Sequence, residues 1–291
     1  MMQPLSERRS VSIDCDGVRI AADVRGAGAP LLLLHGYPET KAMWDAVAPT
    51  LAGSYTVVAS DLRGYGDSAK PSGEVYSKRE MARDQLLLMR ELGFERFAVV
   101  GHDRGGRVGH RLALDNPAAI AGLAVLDIVP TLHMFENVDR AMATSYFHWF
   151  FLARRDGLPE ALIDAAPEAW LRSRFTGRSV AGGLPASYRE YERCFDHDTI
   201  RASCADYRAA ATTDLDHDRI DRGAGRRVDA PTLALWGSES YVGANFDVVE
   251  VWRDYATSIR GRSVLADHYL AEEAPDPTAA ALMEFLGELS W

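Results

Sequence analysis

The sequence predicts a doubly wound, mostly parallel α/β sheet interrupted by an all-helical insertion. Three observations carry that prediction. Pro30–Leu34, Tyr55–Ala59, Phe97–Val100 and Ala121–Leu126 are nearly continuous apolar runs, as expected of strands buried on both faces of a parallel sheet rather than of half-exposed strands that alternate. Met43–Ala52, Lys78–Leu92 and Arg107–Asp115 lie between them with apolar residues at helical spacing, and such alternation builds helices onto a central sheet. From about Thr131 to Val228 the strand-like runs stop, and aromatic, helix-like stretches replace them.

Taken in order, Met1–Ser10 is polar and carries Arg8 and Arg9, but no apolar stretch follows, so it does not read as a signal peptide. Ser10–Cys15 and Arg19–Arg25 are β-rich and separated by Asp16-Gly17, a hairpin signal. After the parallel core, helices are expected at Ala141–Phe151, Pro159–Asp164, Pro167–Phe175 and Ser187–Phe195. Strands return at Thr232–Trp236 and Ser263–Ala266, with helices at Phe246–Tyr255 and Pro277–Leu289. The expected organisation is one sheet core, residues 1–130 and 229–291, with a helical cap at 131–228 inserted into it. No internal repeat is visible.

Composition narrows the function. With 47% hydrophobic and 25% charged residues over 291 positions, disorder and low complexity are excluded. A net charge of -10 and the absence of any dense Lys/Arg run argue against nucleic acid as a partner. Cys15, Cys194 and Cys204 are too few and too scattered for a disulfide framework or a zinc site, which fits a reducing cytoplasm. Apolar runs such as Leu31–Leu34 are far short of a membrane span. An anionic small molecule can bind only where local positive charge overrides the global field.

The chemistry concentrates at Phe97-Ala98-Val99-Val100-Gly101-His102-Asp103-Arg104-Gly105-Gly106-Arg107. A buried strand ends in Gly-x-Asp-x-Gly and a helix follows, the pattern of a nucleophile elbow whose glycines permit a strained strand-to-helix turn. The usual occupant is serine; here it is Asp103. A carboxylate attacks an sp³ carbon bearing a leaving group and forms an ester whose carbonyl is hydrolysed afterwards, which points to C–halogen or epoxide substrates. His35-Gly36-Tyr37-Pro38 directly follows the strand Pro30–Leu34. The backbone amides of Tyr37 and Arg104 are the expected donors to charge developing at the Asp103 carbonyl.

Among eight histidines, His268 is the expected base, since it follows the last strand-like run and precedes the C-terminal helix. His35 and His102 read as structural members of their motifs. The acid that orients His268 is either Asp127, at the carboxyl end of Ala121–Leu126, or Glu239, after Thr232–Trp236; Asp127 is preferred because a polar Ser-Glu-Ser loop already explains Glu239. Arg104 and Arg107 share a helix face. Cations at a helix N-terminus oppose its dipole at about 0.3–1 kcal/mol each. Pairing with Asp103, together with forked binding of a substrate carboxylate, would offset that cost.

Gly-His-Asp-Arg-Gly-Gly-Arg, His-Gly-Tyr-Pro-Glu-Thr, Val-Leu-Asp-Ile-Val-Pro-Thr and Phe-His-Trp-Phe resemble the fluoroacetate (haloacetate) dehalogenases of the α/β-hydrolase superfamily, over nearly the whole chain. The resemblance implies an α/β-hydrolase fold with Asp103 as nucleophile, His268 as base, Asp127 as its partner, and Arg104 and Arg107 on the substrate carboxylate. It also implies that His148, Trp149 and Tyr207 bind the departing halide, that no metal or organic cofactor is used, and that the protein is a homodimer. From the residues alone, His148 and Trp149 read as members of an aromatic helical stripe with Tyr146, Phe147, Phe150 and Phe151. Two features depart from the family pattern: Asp267 stands before the histidine where glycine is usual, and Leu132 and Met134 stand where relatives often carry aromatics. The rivals are an epoxide hydrolase with the same nucleophile, against which Arg104 argues, and a non-catalytic receptor for a small acid.

Overall fold

The computed structural model describes residues 7–73, 75–177 and 182–291; the Met1–Ser6 part of the N-terminal reading lies outside them. Eight strands form one sheet: β1 (Arg9–Cys15), β2 (Val18–Arg25), β3 (Ala29–Leu34), β4 (Tyr55–Ser60), β5 (Phe97–His102), β6 (Ile120–Leu126), β7 (Thr232–Gly237) and β8 (Ile259–Val264). Their order across the sheet is β1-β2-β4-β3-β5-β6-β7-β8. β2 runs antiparallel to β1 and β4, and the remaining pairs are parallel. β5 and β6 are buried at every position, which explains their unbroken apolar runs.

The topology creates the site. Chain order reverses across the neighbours β4, β3 and β5, and a ligand crevice lies beyond the strand carboxyl ends at such a switch point. Leu34 of β3 pairs with Gly101 of β5, so the loop after β3 and the turn after β5 emerge side by side. Leu126 of β6 pairs with Leu235 of β7, and Gly237 of β7 with Val264 of β8, which brings the segments after β6, β7 and β8 to the same edge.

Between β6 and β7 every element among the described residues is helical, from Thr131–Glu136 to Thr213–Gly223. One bridge, Val228 to Ala256, returns the chain to the sheet. Three helices here, Thr131–Glu136, His197–Ala210 and Thr213–Gly223, have no counterpart in the sequence reading. The second is the most central of them. His197–Ala210 is capped by Asp196, whose side chain accepts from the Thr199 amide at 2.8 Å. It is buried along nearly its whole length and carries Asp206 and Arg208 inside, so its apolar periodicity is weak although it is central.

The last strand is also corrected. β8 spans Ile259–Val264 rather than Ser263–Ala266. It is an edge strand with Arg260 and Arg262 paired to Glu288 at 2.6 Å and to Glu284 at 2.9 Å. Charged edges of this kind protect a sheet from further pairing, and they remove the apolar run that marks the inner strands. Met43–Ala52 is two short turns, Lys41–Trp44 and Ala48–Leu51, interrupted at the residues before Pro49. No described helix is long and apolar enough to cross a membrane.

Candidate active site

The helix Asp103–Asp115 begins on the residue that follows β5, and Asp103 sits at φ 42°. This left-handed conformation costs a non-glycine residue about 1–2 kcal/mol and marks a turn held by its surroundings. The glycines make it possible. A Cβ on Gly101 would stand 2.4 Å from the Gly105 carbonyl oxygen, and one on Gly105 would stand 2.5 Å from that of His35. Helix and two strands therefore approach as closely as backbone allows.

Asp103 is buried, and the Tyr37 amide donates to its Oδ2 at 3.1 Å. Burial alone would raise the carboxyl pKa; His268, Arg107, Arg104 and His102 outweigh it and hold Asp103 below the ordinary carboxylate value. The group is thus a buried, ionised carboxylate compensated by nearby cations.

His268 follows β8, and its Nδ1 lies 2.7 Å from Asp127 Oδ2. With Nδ1 occupied, Nε2 is the nitrogen left for the cavity that His268 and Asp103 both line. Asp127, at φ 49°, has its other oxygen filled by the Ser240 hydroxyl at 2.6 Å and the Gly237 amide at 3.1 Å. Glu239 is exposed, and its neighbour Ser238 donates to it. The structure therefore places Asp127, not Glu239, against the histidine.

The cavity is small, about 10 Å³, and Tyr37, Tyr146, His148, Arg174 and Tyr269 complete its wall. That volume corresponds to about one water centre. Arg104, Arg107, Trp149 and Tyr207 adjoin these wall residues. The Arg104 guanidinium lies 4.3 Å from the Tyr207 ring centre and that of Arg107 4.6 Å from the Trp149 ring centre, while Tyr207 meets His148 and Tyr37 edge-on.

The two arginines differ from expectation. Arg104 spends its fork on Asp206, donating from Nε at 2.9 Å and from Nη2 at 2.5 Å. Asp206 also accepts from Tyr65 at 2.8 Å and from Lys78. Only Nη1 of Arg104 remains for a ligand. Arg107 donates from Nη1 to the neutral oxygens of Val129 and Thr131, at 3.1 and 2.9 Å. Burial, only partly offset by Asp103, lowers its pKa to about 10.

Four donors in this cluster, Arg104 Nη1, Arg107 Nε, Trp149 Nε1 and the Tyr207 hydroxyl, are buried without an acceptor. A buried donor left unsatisfied costs about 1–3 kcal/mol. Several around one carboxylate constitute a receptor for an anion. Burial and the nearby Asp103 charge raise the Tyr207 pKa well above the ordinary value, so its phenol remains a donor.

One supporting pair was not singled out in the sequence. His102 Nδ1 lies 2.8 Å from Glu39 Oε2, and its Nε2 lies 2.9 Å from the carbonyl oxygen of His268. A carbonyl can only accept, and a carboxylate likewise, so both ring nitrogens must carry protons. Burial opposes that charge, but Glu39, with Asp103 and Asp127, lifts the His102 pKa from the usual 6.5 to about 9. Because the folded value exceeds the unfolded one, this contribution to stability is complete below about pH 6.5 and disappears as pH rises through about 9. Melting temperature should therefore fall across that interval in the wild type and change less in His102→Gln. Equal slopes would remove His102 from the account.

Among the described residues no group of three or more His, Cys, Asp or Glu is placed to hold a metal. The family model described as alpha/beta hydrolase fold matches residues 29–275. A fluoroacetate dehalogenase from Burkholderia sp is 46% identical over 290 residues, covering 97% of this chain and 94% of that protein. A soluble epoxide hydrolase from Corynebacterium sp. (strain C12) is 31% identical, covering 94% and 96%. A solved structure assigned to the alpha/beta hydrolases, from Nostoc sp PCC 7120, superposes with a TM-score of 0.94 at 47% identity, covering 97% of this chain and 99% of that one.

Proposed function

Because the chain belongs to the haloacetate dehalogenase family of the α/β-hydrolase superfamily, we propose that it hydrolyses the carbon–halogen bond of a small 2-haloacid. The observation that carries this reading is the set of orphaned N–H and O–H donors beside an ionised, buried Asp103. Such a site fits a substrate with one carboxylate and one departing anion. It does not fit a neutral epoxide as well.

In the proposed reaction Asp103 Oδ1, the oxygen not held by the Tyr37 amide, attacks the α-carbon in line, and the C–halogen bond breaks as the new C–O bond forms. Arg104 and Arg107 hold the substrate carboxylate, with Arg104 contributing a single N–H rather than a fork. His148, Trp149 and Tyr207 receive the halide; a small, strongly hydrated anion needs such replacement donors to leave. His268 Nε2 then takes a proton from water, and the hydroxide adds to the Asp103 carbonyl carbon. Tyr37 and Arg104 amides hold the oxyanion, the ester bond breaks as His268 returns its proton to the departing oxygen, and the 2-hydroxy acid leaves; the Asp103 carboxyl then loses the second water proton to solvent and is an aspartate again. No cofactor takes part.

The proposal includes the division into a core of residues 1–130 and 229–291 and a cap of 131–228, which supplies His148, Trp149 and Tyr207. It also includes a cytoplasmic homodimer, supported by the family resemblance and, for the dimer, by exposed apolar side chains on the cap such as Leu158 and Leu162.

A halide-release panel tests the reading. Purified protein should liberate halide from fluoro-, chloro- and bromoacetate, and activity should fall with longer haloacids because the cavity is small. Turnover of a neutral epoxide without halide release from any haloacetate would overturn it, as would binding of these acids with no reaction.

A further inference from the structure

The cavity wall carries a third guanidinium that the foregoing scheme does not use. Arg174 lies in the last turn of the helix Pro167–Phe175 and is 8% exposed. It lines the cavity together with Asp103 and His268. Its guanidinium lies 4.9 Å from the Phe147 ring centre and 4.6 Å from that of Trp170, and it donates to Ser173 Oγ from Nη2 at 3.0 Å. Aromatic faces hold a cation in place while sparing it a full hydration shell. The Arg174 carbonyl accepts from the Tyr269 hydroxyl at 3.1 Å, which ties the helix end to the residue after His268. Phe147 is 43% exposed, so the aromatic and cationic stack runs from solvent to the cavity wall.

A chain of net charge -10 repels an approaching carboxylate at long range. We propose that Arg174 is a specificity-determining residue: the cap cation that an incoming haloacid's carboxylate meets first, and that selects small anions over neutral molecules of the same size. The inference rests on the dehalogenase reading and deepens it. Arg174 acts on capture, so its effect belongs in KM and kcat/KM and leaves kcat nearly unchanged.

The test compares chloroacetate with neutral chloroacetamide in wild type, Arg174→Gln and Arg174→Lys, reading chloride release. Arg174→Gln should lose about tenfold in kcat/KM for chloroacetate, with kcat within about threefold, and nothing for chloroacetamide; Arg174→Lys should recover most of the loss. Between about 0.02 and 0.5 M salt, the ratio of wild-type to Arg174→Gln kcat/KM should fall for chloroacetate and stay level for chloroacetamide. Equal losses on both substrates, an Arg174→Gln enzyme that matches wild type, or a lysine no better than glutamine would overturn the proposal. Should Arg174→Gln not fold, Arg174→Met replaces it in the same comparison, and a methionine enzyme that matches Arg174→Lys on chloroacetate overturns the proposal. If wild type releases no halide at all, the dehalogenase reading fails. Calorimetric titration with chloroacetate then still reports on Arg174, through a tenfold weaker affinity in Arg174→Gln or none.

Discussion

Replacement of Asp103 by Ala should abolish halide release, with a loss of about 10,000-fold or more in kcat. The side chain provides the only bond-forming atom in the scheme, and no neighbouring carboxylate can take its place. Asp127 is saturated by His268, Ser240 and Gly237, and Asp206 is committed to Arg104, Lys78 and Tyr65. Asp103→Asn keeps shape and burial while removing the charge. It should fold and bind chloroacetate more tightly than wild type, because one negative charge beside the incoming carboxylate is gone. Retention of turnover in the alanine variant would assign the nucleophile elsewhere; weaker binding by the asparagine variant would contradict the placement of the anion site beside Asp103.

Replacement of His268 by Ala should divide the reaction in two. Displacement of halide needs no base, so one equivalent of halide should still appear. Hydrolysis of the ester should slow by about 1,000-fold or more, the scale of a lost general base, and Asp103 should accumulate as its carboxymethyl ester, visible by intact-mass and peptide mass spectrometry. The geometry explains why the two steps separate. His268 is fixed by Asp127 at Nδ1 and through its own carbonyl by His102, leaving Nε2 to act on water rather than on the substrate. Continued multiple turnovers in this variant, or an unmodified Asp103 after mixing, would remove His268 from the role.

The parts of this site that could be read in the sequence are those encoded locally. Gly101, Asp103 and Gly105 announce the elbow because the steric demand is met within five residues, and the structure shows the contacts that exclude a side chain at either glycine. His35-Gly36-Tyr37 and His268 could be placed because each follows a strand directly or nearly so, and strand ends converge in this topology. The choice between Asp127 and Glu239 needed the structure, since both follow inner strands and only the hydrogen bonds separate them.

What was not legible depends on distant partners. The Arg104 fork is consumed by Asp206, which is 102 positions away and lies on a helix that the periodicity does not reveal. Sequence reasoning assigned that fork to substrate. Likewise Glu39 acts on His102 across 63 positions, and Arg174 reaches the cavity only because the cap folds over it. The edge strand β8 is hidden for the opposite reason: its arginines obey the rules for an edge and leave no apolar run to mark it.

The central claim is that Asp103 becomes an ester during the reaction, and oxygen labelling reads it most directly. In a single turnover in ¹⁸O-water with enzyme in excess over chloroacetate, the account predicts label in the Asp103 carboxylate and unlabelled glycolate. Labelled glycolate with unlabelled Asp103 would mean that water attacks the substrate carbon itself, and would contradict the mechanism.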